Sequence, residues 1–393
     1  MSSACEPLPS ATASRASSLS TPASHTHQDL AFPCAPPEMP LKCAGDMDLL
    51  EWIPEEWRRD WLDLVEPGAA TDFFALEAMP PFPAVGNAFD PHVALWMSEF
   101  CRLIYRRFEN EGDGLRAASA LLRILATAQT GWKDAVFFDG RSEPSVGGKR
   151  RFWRSADPAA HTQAALITRK DPDVTVLVFR GTLGPANLIT DLSFLAWPLR
   201  LKLKGSAHFG FSAALDSVWH HIRRRLLGTT GKIVVTGHSL GGALGTLAAC
   251  RMLADEALRD RVEALYTFGC PRVGTHGFEE NLSGLYHARI VHEDDLVARI
   301  PPAFSVPPFP VYRHVGSLHP VNRDGRLGPP SAANADAPDP QQGVLEFYRL
   351  LRQIAKGLKH NSIGAPPKPL KDHTPRLYTI ALHGAVRGGP PSS

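Results

Sequence analysis

The feature that most constrains this chain is the alternation of short, almost wholly apolar runs with longer helical stretches. The runs "TQAALITR", "VTVLVFRG", "KIVVTG", "VEALYTFG", "LYHARIVH" and "VYRHVG" are rich in β-branched residues, and several are separated by helical segments at 209–227, 240–257 and 343–358. Strands that alternate polar and apolar residues leave one face wet, whereas near-continuous apolar strands must be covered on both faces. The pattern therefore predicts an α/β fold with a mostly parallel central sheet and helices on both faces.

Two helices are expected ahead of that alternation. In "NAFDPHVALWMSEFCRLIYRRF" the residues Val93, Met97, Phe100, Ile104 and Phe108 share one helical face, and a second stretch carries Leu115, Leu122 and Leu125. Residues 1–45 are dominated by Ser, Pro, Ala and Thr and are expected to form a disordered tail. Residues 46–86 form an N-terminal extension in which Trp57, Trp61 and Val65 recur every four residues after Pro54, as in a short amphipathic helix docked on the domain. The main domain is expected over 87–393, interrupted by a polar, Pro- and Gly-rich stretch at 319–342 that reads as a flexible surface insertion.

Composition excludes several functions. Lys plus Arg (42) and Asp plus Glu (40) nearly cancel, so no overall field draws the chain to nucleic acid. No run approaches the length of a transmembrane helix, and the N-terminus lacks a basic start followed by an apolar core, which points to a cytoplasmic protein. The cysteines match neither a disulfide framework nor a zinc site, so no metal or organic cofactor is expected.

The stretch "VVTGHSLGGALG" places Ser239 between glycines, after an apolar strand and before an Ala/Leu-rich helix. A Gly-X-Ser-X-Gly pattern is common by chance, and its value lies in that context. A strand-to-helix turn this tight forces the serine into a strained conformation, which neighbours tolerate only without a Cβ, as at Gly237 and Gly241. A serine hydroxyl used as a nucleophile needs a histidine and a carboxylate. Carboxylates cluster where a strand ends, at Glu293, Asp294 and Asp295; the histidine candidates are His292, His314, His319, His360 and His373. His314 lies within a strand-like run and reads as a packing residue, whereas His373 precedes the last helix in a loop.

At this point the chain resembles the class 3 lipases, the fungal-type lipase family of α/β-hydrolases. The resemblance rests on "VLVFRGTLGPANLITDLSF", "AHFGFSAALDSV", "TFGCPRVGTHGF", "DLVARIPP" and "YRHVG", which occur in the family's order over about residues 88–383. It implies the α/β-hydrolase fold and a triad of Ser239, Asp295 and His373, with Thr182 and Leu240 supplying oxyanion-hole N–H groups. Leu183, Leu188 and Ile189 fall on the family's lid as substrate-contact candidates, with Arg180 and Asp191 bracing the turn. Leu188 stands where the family has tryptophan, and Ala298 where it has proline. The expected activity is hydrolysis of acylglycerol or phospholipid esters at a transiently contacted lipid surface. A soluble short-chain esterase and a non-catalytic scaffold are the alternatives. The run "LAWPLRLKLKG" reads as an edge strand or, with Trp197 and its alternating cations, as a rim for anionic lipid.

Overall fold

A computed structural model describes residues 79–106, 108, 114–128, 131–140, 162–181, 198–199, 204–301, 303, 311–332 and 368–388. All of these fall within one compact unit, Asp48–Ser393. The expected tail at 1–45, the amphipathic helix around Trp57 and the helix at 343–358 lie outside the described residues.

Helix α1, Pro91–Leu103, begins where Asp90 accepts the His92 backbone N–H at 2.7 Å and proline occupies the first turn. Helix α2, Gly114–Ala128, follows, and then the strands β1, Trp132–Asp139; β2, Gln163–Arg169; and β3, Val174–Phe179. A two-residue pair, β4 at Pro198–Leu199 and β5 at Ala207–His208, precedes α3, Phe209–Leu227. The chain continues through β6, Lys232–His238; α4, Leu240–Leu253; β7, Val262–Phe268; β8, Tyr286–His292; and β9, Ser317–Val321. It closes with α5, Lys368–Lys371, and α6, Pro375–Arg387.

The main sheet has seven strands in the order β1-β2-β3-β6-β7-β8-β9. Pairs β3–β6, β6–β7, β7–β8 and β8–β9 are parallel, and β1–β2 and β2–β3 are antiparallel. Successive residues of the inner strands enter opposite cores, which is why the strand sequences are apolar throughout. Val234 packs with α1, α2 and α6, while Ile233 and Val235 pack with α3 and α4. Complete burial of side chains such as Leu244 and Leu247 contributes about 1.5–3 kcal/mol each.

Three expectations are corrected. The run "VYRHVG" forms only an isolated bridge, Arg313 to Gly274; the edge strand is the next segment, Ser317–Val321. Residues 319–321 are therefore sheet rather than surface insertion. Leu318 exchanges backbone hydrogen bonds with Ser331, and Gly328 N–H reaches the Pro320 carbonyl, so 322–332 folds back along the strand. Local composition misled because Pro320 signals a loop, yet proline is tolerated on an edge strand. The remainder of the stretch, 333–342, lies outside the described residues. Strand β1 was not anticipated, since "WKDAVFFD" is only partly buried and carries charges. Leu115 does not join the buried face of α2; it is exposed at the first turn.

The buried histidines make stability pH-dependent. Burial holds His208 at a pKa of about 3, and burial, with Arg289 adding to it, does the same for His287. Both rings are neutral in the folded chain and, once unfolded, protonate near 6.5. Between pH 6.5 and 3 the unfolded state thus binds more protons, so stability is full above 6.5 and is lost on acidification. The slope is about 1.4 kcal/mol per pH unit for each ring. Urea midpoints measured at pH 7 and pH 5 should differ in that sense; equal midpoints would contradict it.

Candidate active site

Parallel β3, β6, β7 and β8 end at one rim, and the carboxyl edge of such a sheet is where ligands meet α/β folds. β6 is the central strand of the seven. Ser239 follows it directly, with φ 59° and ψ −130°, and caps α4 without using its side chain. A backbone so placed costs roughly 1–3 kcal/mol and persists only where the surroundings enforce it. They do so through close approach. A Cβ on Gly237 would overlap the Gly241 carbonyl, and one on Gly241 would overlap the Phe179 carbonyl. Ser239 N–H is held by the Phe268 carbonyl at 2.9 Å, which ties the turn to β7. Leu240 is the first residue of α4, where backbone N–H groups have no intrahelical acceptor.

β8 delivers the carboxylates. Among Glu293, Asp294 and Asp295, only Asp295 is fully buried, and His373 Nδ1 lies 2.9 and 2.8 Å from its two oxygens. Asp295 also accepts the Val297 N–H at 2.8 Å and the Tyr378 hydroxyl at 2.5 Å. Burial is the largest influence on this carboxyl and pushes its pKa up, but His373, Tyr378 and His238 together outweigh it and hold it below the usual value. A carboxylate beside Nδ1 fixes the proton there, leaving Nε2 of His373 as the acceptor. Gly269, with φ +54°, permits this approach, because a Cβ there would overlap an Asp295 oxygen and sit 2.8 Å from His373 Nδ1.

Ser239 Oγ and His373 Nε2 are both buried, and neither has a hydrogen-bond partner among the described residues. Such a contact is often long in a free enzyme and tightens with substrate. The His373 backbone is pinned: its carbonyl lies 2.6 Å from His238 Nε2, and the Asp372 carbonyl accepts from His292 Nδ1 at 3.1 Å. Lys368, on α5, reaches Asp372 at 2.7 Å, Asp294 at 3.3 Å and Glu293 at 3.5 Å, and so links the segment carrying His373 to the end of β8.

The other candidates fall elsewhere. His314 Nε2 donates to the Ala298 carbonyl at 2.7 Å, His319 stacks on Phe89 at 4.1 Å, and His292 supports Asp372. Glu293 and Asp294 face Arg323, Arg299 and Lys368. Thr182, Leu183, Leu188, Ile189, Asp191, Trp197 and His360 lie outside the described residues, whereas buried Arg180 precedes the Thr182 turn. In "LAWPLRLKLKG", Pro198–Leu199 form β4, and Lys204 pairs with Glu280 at 2.6 Å. Tyr378, Tyr105 and Gly269 were not singled out from the sequence. Only Gly269, within "TFGCPRVG", carried a local signal. Among the described residues no group of three or more His, Cys, Asp and Glu is arranged to hold a metal, and no helix is long and apolar enough to cross a membrane.

A mostly parallel sheet covered on both faces, with a serine at a strained strand-to-helix elbow and an Asp–His pair on the same rim, is the arrangement of an α/β-hydrolase fold. Residues 176–305 match the family described as lipase (class 3). It is 34% identical over 148 residues to a lipase of Rhizomucor miehei, covering 35% of this chain and 41% of the relative. It is 37% identical over 134 residues to the secreted mono- and diacylglycerol lipase 1 of Fusarium solani, covering 32% of this chain and 39% of the relative. The chain thus spans about two fifths of the length of these relatives. Among solved structures, Rhizomucor miehei triacylglyceride lipase is similar at 30% identity and a TM-score of 0.36, over 41% of this chain and 62% of that one. Lipase II from Rhizopus niveus is similar at 23% identity and a TM-score of 0.41, over 58% of this chain and 78% of that one.

Proposed function

We propose that the chain is a serine ester hydrolase that cleaves acylglycerol or phospholipid esters through an acyl-enzyme. The observation that carries the reading is the buried Ser239 hydroxyl, without a hydrogen-bond partner among the described residues, at a strained elbow on the same rim as the Asp295–His373 pair. Ser239 Oγ attacks the ester carbonyl carbon while His373 Nε2 takes its proton. The resulting imidazolium is stabilised by Asp295 and then protonates the departing alcohol. Water, deprotonated by the same nitrogen, attacks the acyl carbon and releases the acid and the free serine.

The negative oxygen of each tetrahedral intermediate is assigned to the backbone N–H groups of Leu240 and Thr182. Each such donor is worth about 3 kcal/mol in the transition state. Leu240 suits the task because it begins a helix next to the nucleophile. The lipid substrate class is supported by the acylglycerol lipases to which the chain is similar, and Leu183, Leu188 and Ile189 are assigned to acyl contact.

Labelling of the purified full chain with a fluorophosphonate probe, run beside a panel of tri-, di- and monoacylglycerols, phospholipids and p-nitrophenyl butyrate, tests the reading. Labelling at Ser239 and turnover of long-chain dispersions are expected. Turnover of soluble short esters alone would make the protein a carboxylesterase, and no labelling would make it a scaffold.

A further inference from the structure

Tyr105 lies just beyond α1, remote in sequence from every motif at the rim, and is 1% exposed. Its hydroxyl is 2.9 Å from His238 Nδ1, and it takes the backbone N–H of Gly181. The direction of each bond follows from its partners. His238 Nε2 faces the His373 carbonyl at 2.6 Å, and a carbonyl only accepts, so Nε2 carries the proton. Burial, followed by neighbouring His373, pushes the His238 pKa well down, so the ring is neutral and its Nδ1 is an acceptor. Burial likewise pushes the Tyr105 phenol up, and the hydroxyl keeps its proton and donates it to Nδ1. The Tyr105 oxygen is then left to accept from Gly181.

One hydroxyl therefore meets two of the segments at the rim and acts on a third. Gly181 lies two residues past the end of β3; a Cβ there would overlap the Tyr105 hydroxyl and sit 3.1 Å from Ser239 Cβ. His238 immediately precedes Ser239, and its ring lies 4.5 Å from that of His373 at an interplanar angle of 32°. We propose that Tyr105 is a positioning residue: through His238 it fixes the backbone of His373, and through Gly181 the chain just past β3, both relative to Ser239. Without the hydroxyl, His238 Nδ1 is left as a buried acceptor with its Tyr105 donor gone, the ring loses one of its two anchors, and the Nε2–H that holds the His373 carbonyl can shift with it.

The proposal rests on the hydrolase reading, and the test separates the two. Tyr105→Phe, His238→Gln and the double variant of the full chain are compared with wild type on p-nitrophenyl butyrate, with melting temperature and ¹⁵N NMR of the histidine rings. Tyr105→Phe should lower kcat roughly 10- to 100-fold, as displacement of a reacting group does, with little change in KM. Glutamine at 238 keeps one donor and one acceptor and should lose less than Tyr105→Phe. The double variant should lose less than the product of the two single losses, because both act through one chain of bonds. His238 should be the Nε2–H tautomer in both wild type and Tyr105→Phe, with its Nδ1 resonance shifted in the variant by loss of the hydroxyl's hydrogen bond. A folded Tyr105→Phe with wild-type kcat, losses that multiply, or an unchanged His238 Nδ1 resonance would overturn the proposal. If wild type itself turns over no ester, the hydrolase reading fails, and the His238 Nδ1 resonance still decides whether Tyr105 anchors that ring.

Discussion

Ser239→Ala is expected to lower kcat by about 10⁶-fold on any ester the protein hydrolyses, while leaving the fold intact. Loss of the nucleophile in a serine triad costs about this much, and the remainder over water comes from oxyanion donors and substrate positioning. The side chain makes no hydrogen bond among the described residues and is not used as the cap of α4, so its removal breaks no hydrogen bond there. Alanine nevertheless retains a Cβ at φ 59°, so backbone strain is neither relieved nor increased. The melting temperature should therefore stay within a few degrees of wild type. A residual rate within tenfold of wild type, measured under initial-rate conditions, would show that another group attacks the ester.

Asp295→Asn is expected to lower kcat by about 10⁴-fold, equivalent to about 5.5 kcal/mol at 1.36 kcal/mol per decade. The carboxylate accepts from His373 Nδ1, Val297 N–H and the Tyr378 hydroxyl. Asparagine offers one oxygen and one NH₂ group to these three donors. Turning the NH₂ towards His373 reverses the imidazole tautomer and places a proton on Nε2, where the serine proton must go. Turning it towards Tyr378 opposes two donors across 2.5 Å unless the phenol rotates. Both orientations leave a fully buried polar group poorly matched, so some loss of stability accompanies the kinetic effect. Stopped-flow measurement of acylation should locate the loss in the chemical step, and a decrease below tenfold would remove Asp295 from the role.

Much of this molecule was legible in the residue order. The near-continuous apolar strands implied a sheet covered on both faces, and the glycines around Ser239 implied an elbow, because both follow from local sterics and from which side chains must leave water. Gly237 and Gly241 read correctly for this reason: their neighbours in space are also their neighbours in sequence or belong to the adjoining strand.

Other features depended on contacts between distant segments. Position along the chain does not separate Asp295 from Glu293 and Asp294, although the family resemblance selects it; in the fold the turn after β8 buries it against His373, 78 residues away, and leaves Asp294 facing Arg299 and Lys368. β9 was hidden because a parallel edge strand draws its hydrogen bonds from β8, and nothing in "SLHPV" announces that partner. Tyr105, 133 residues from His238, and Tyr378, 83 residues from Asp295, look in sequence like ordinary helix aromatics. Thus the sequence by itself determined the layered sheet, the elbow and the identity of the serine, since each is set by backbone sterics and hydrophobic period. The tertiary structure brought together the carboxylate and histidine that the resemblance implied, and it alone decided which hydroxyls hold them, because hydrogen-bond partners are chosen by proximity in space after the chain has closed.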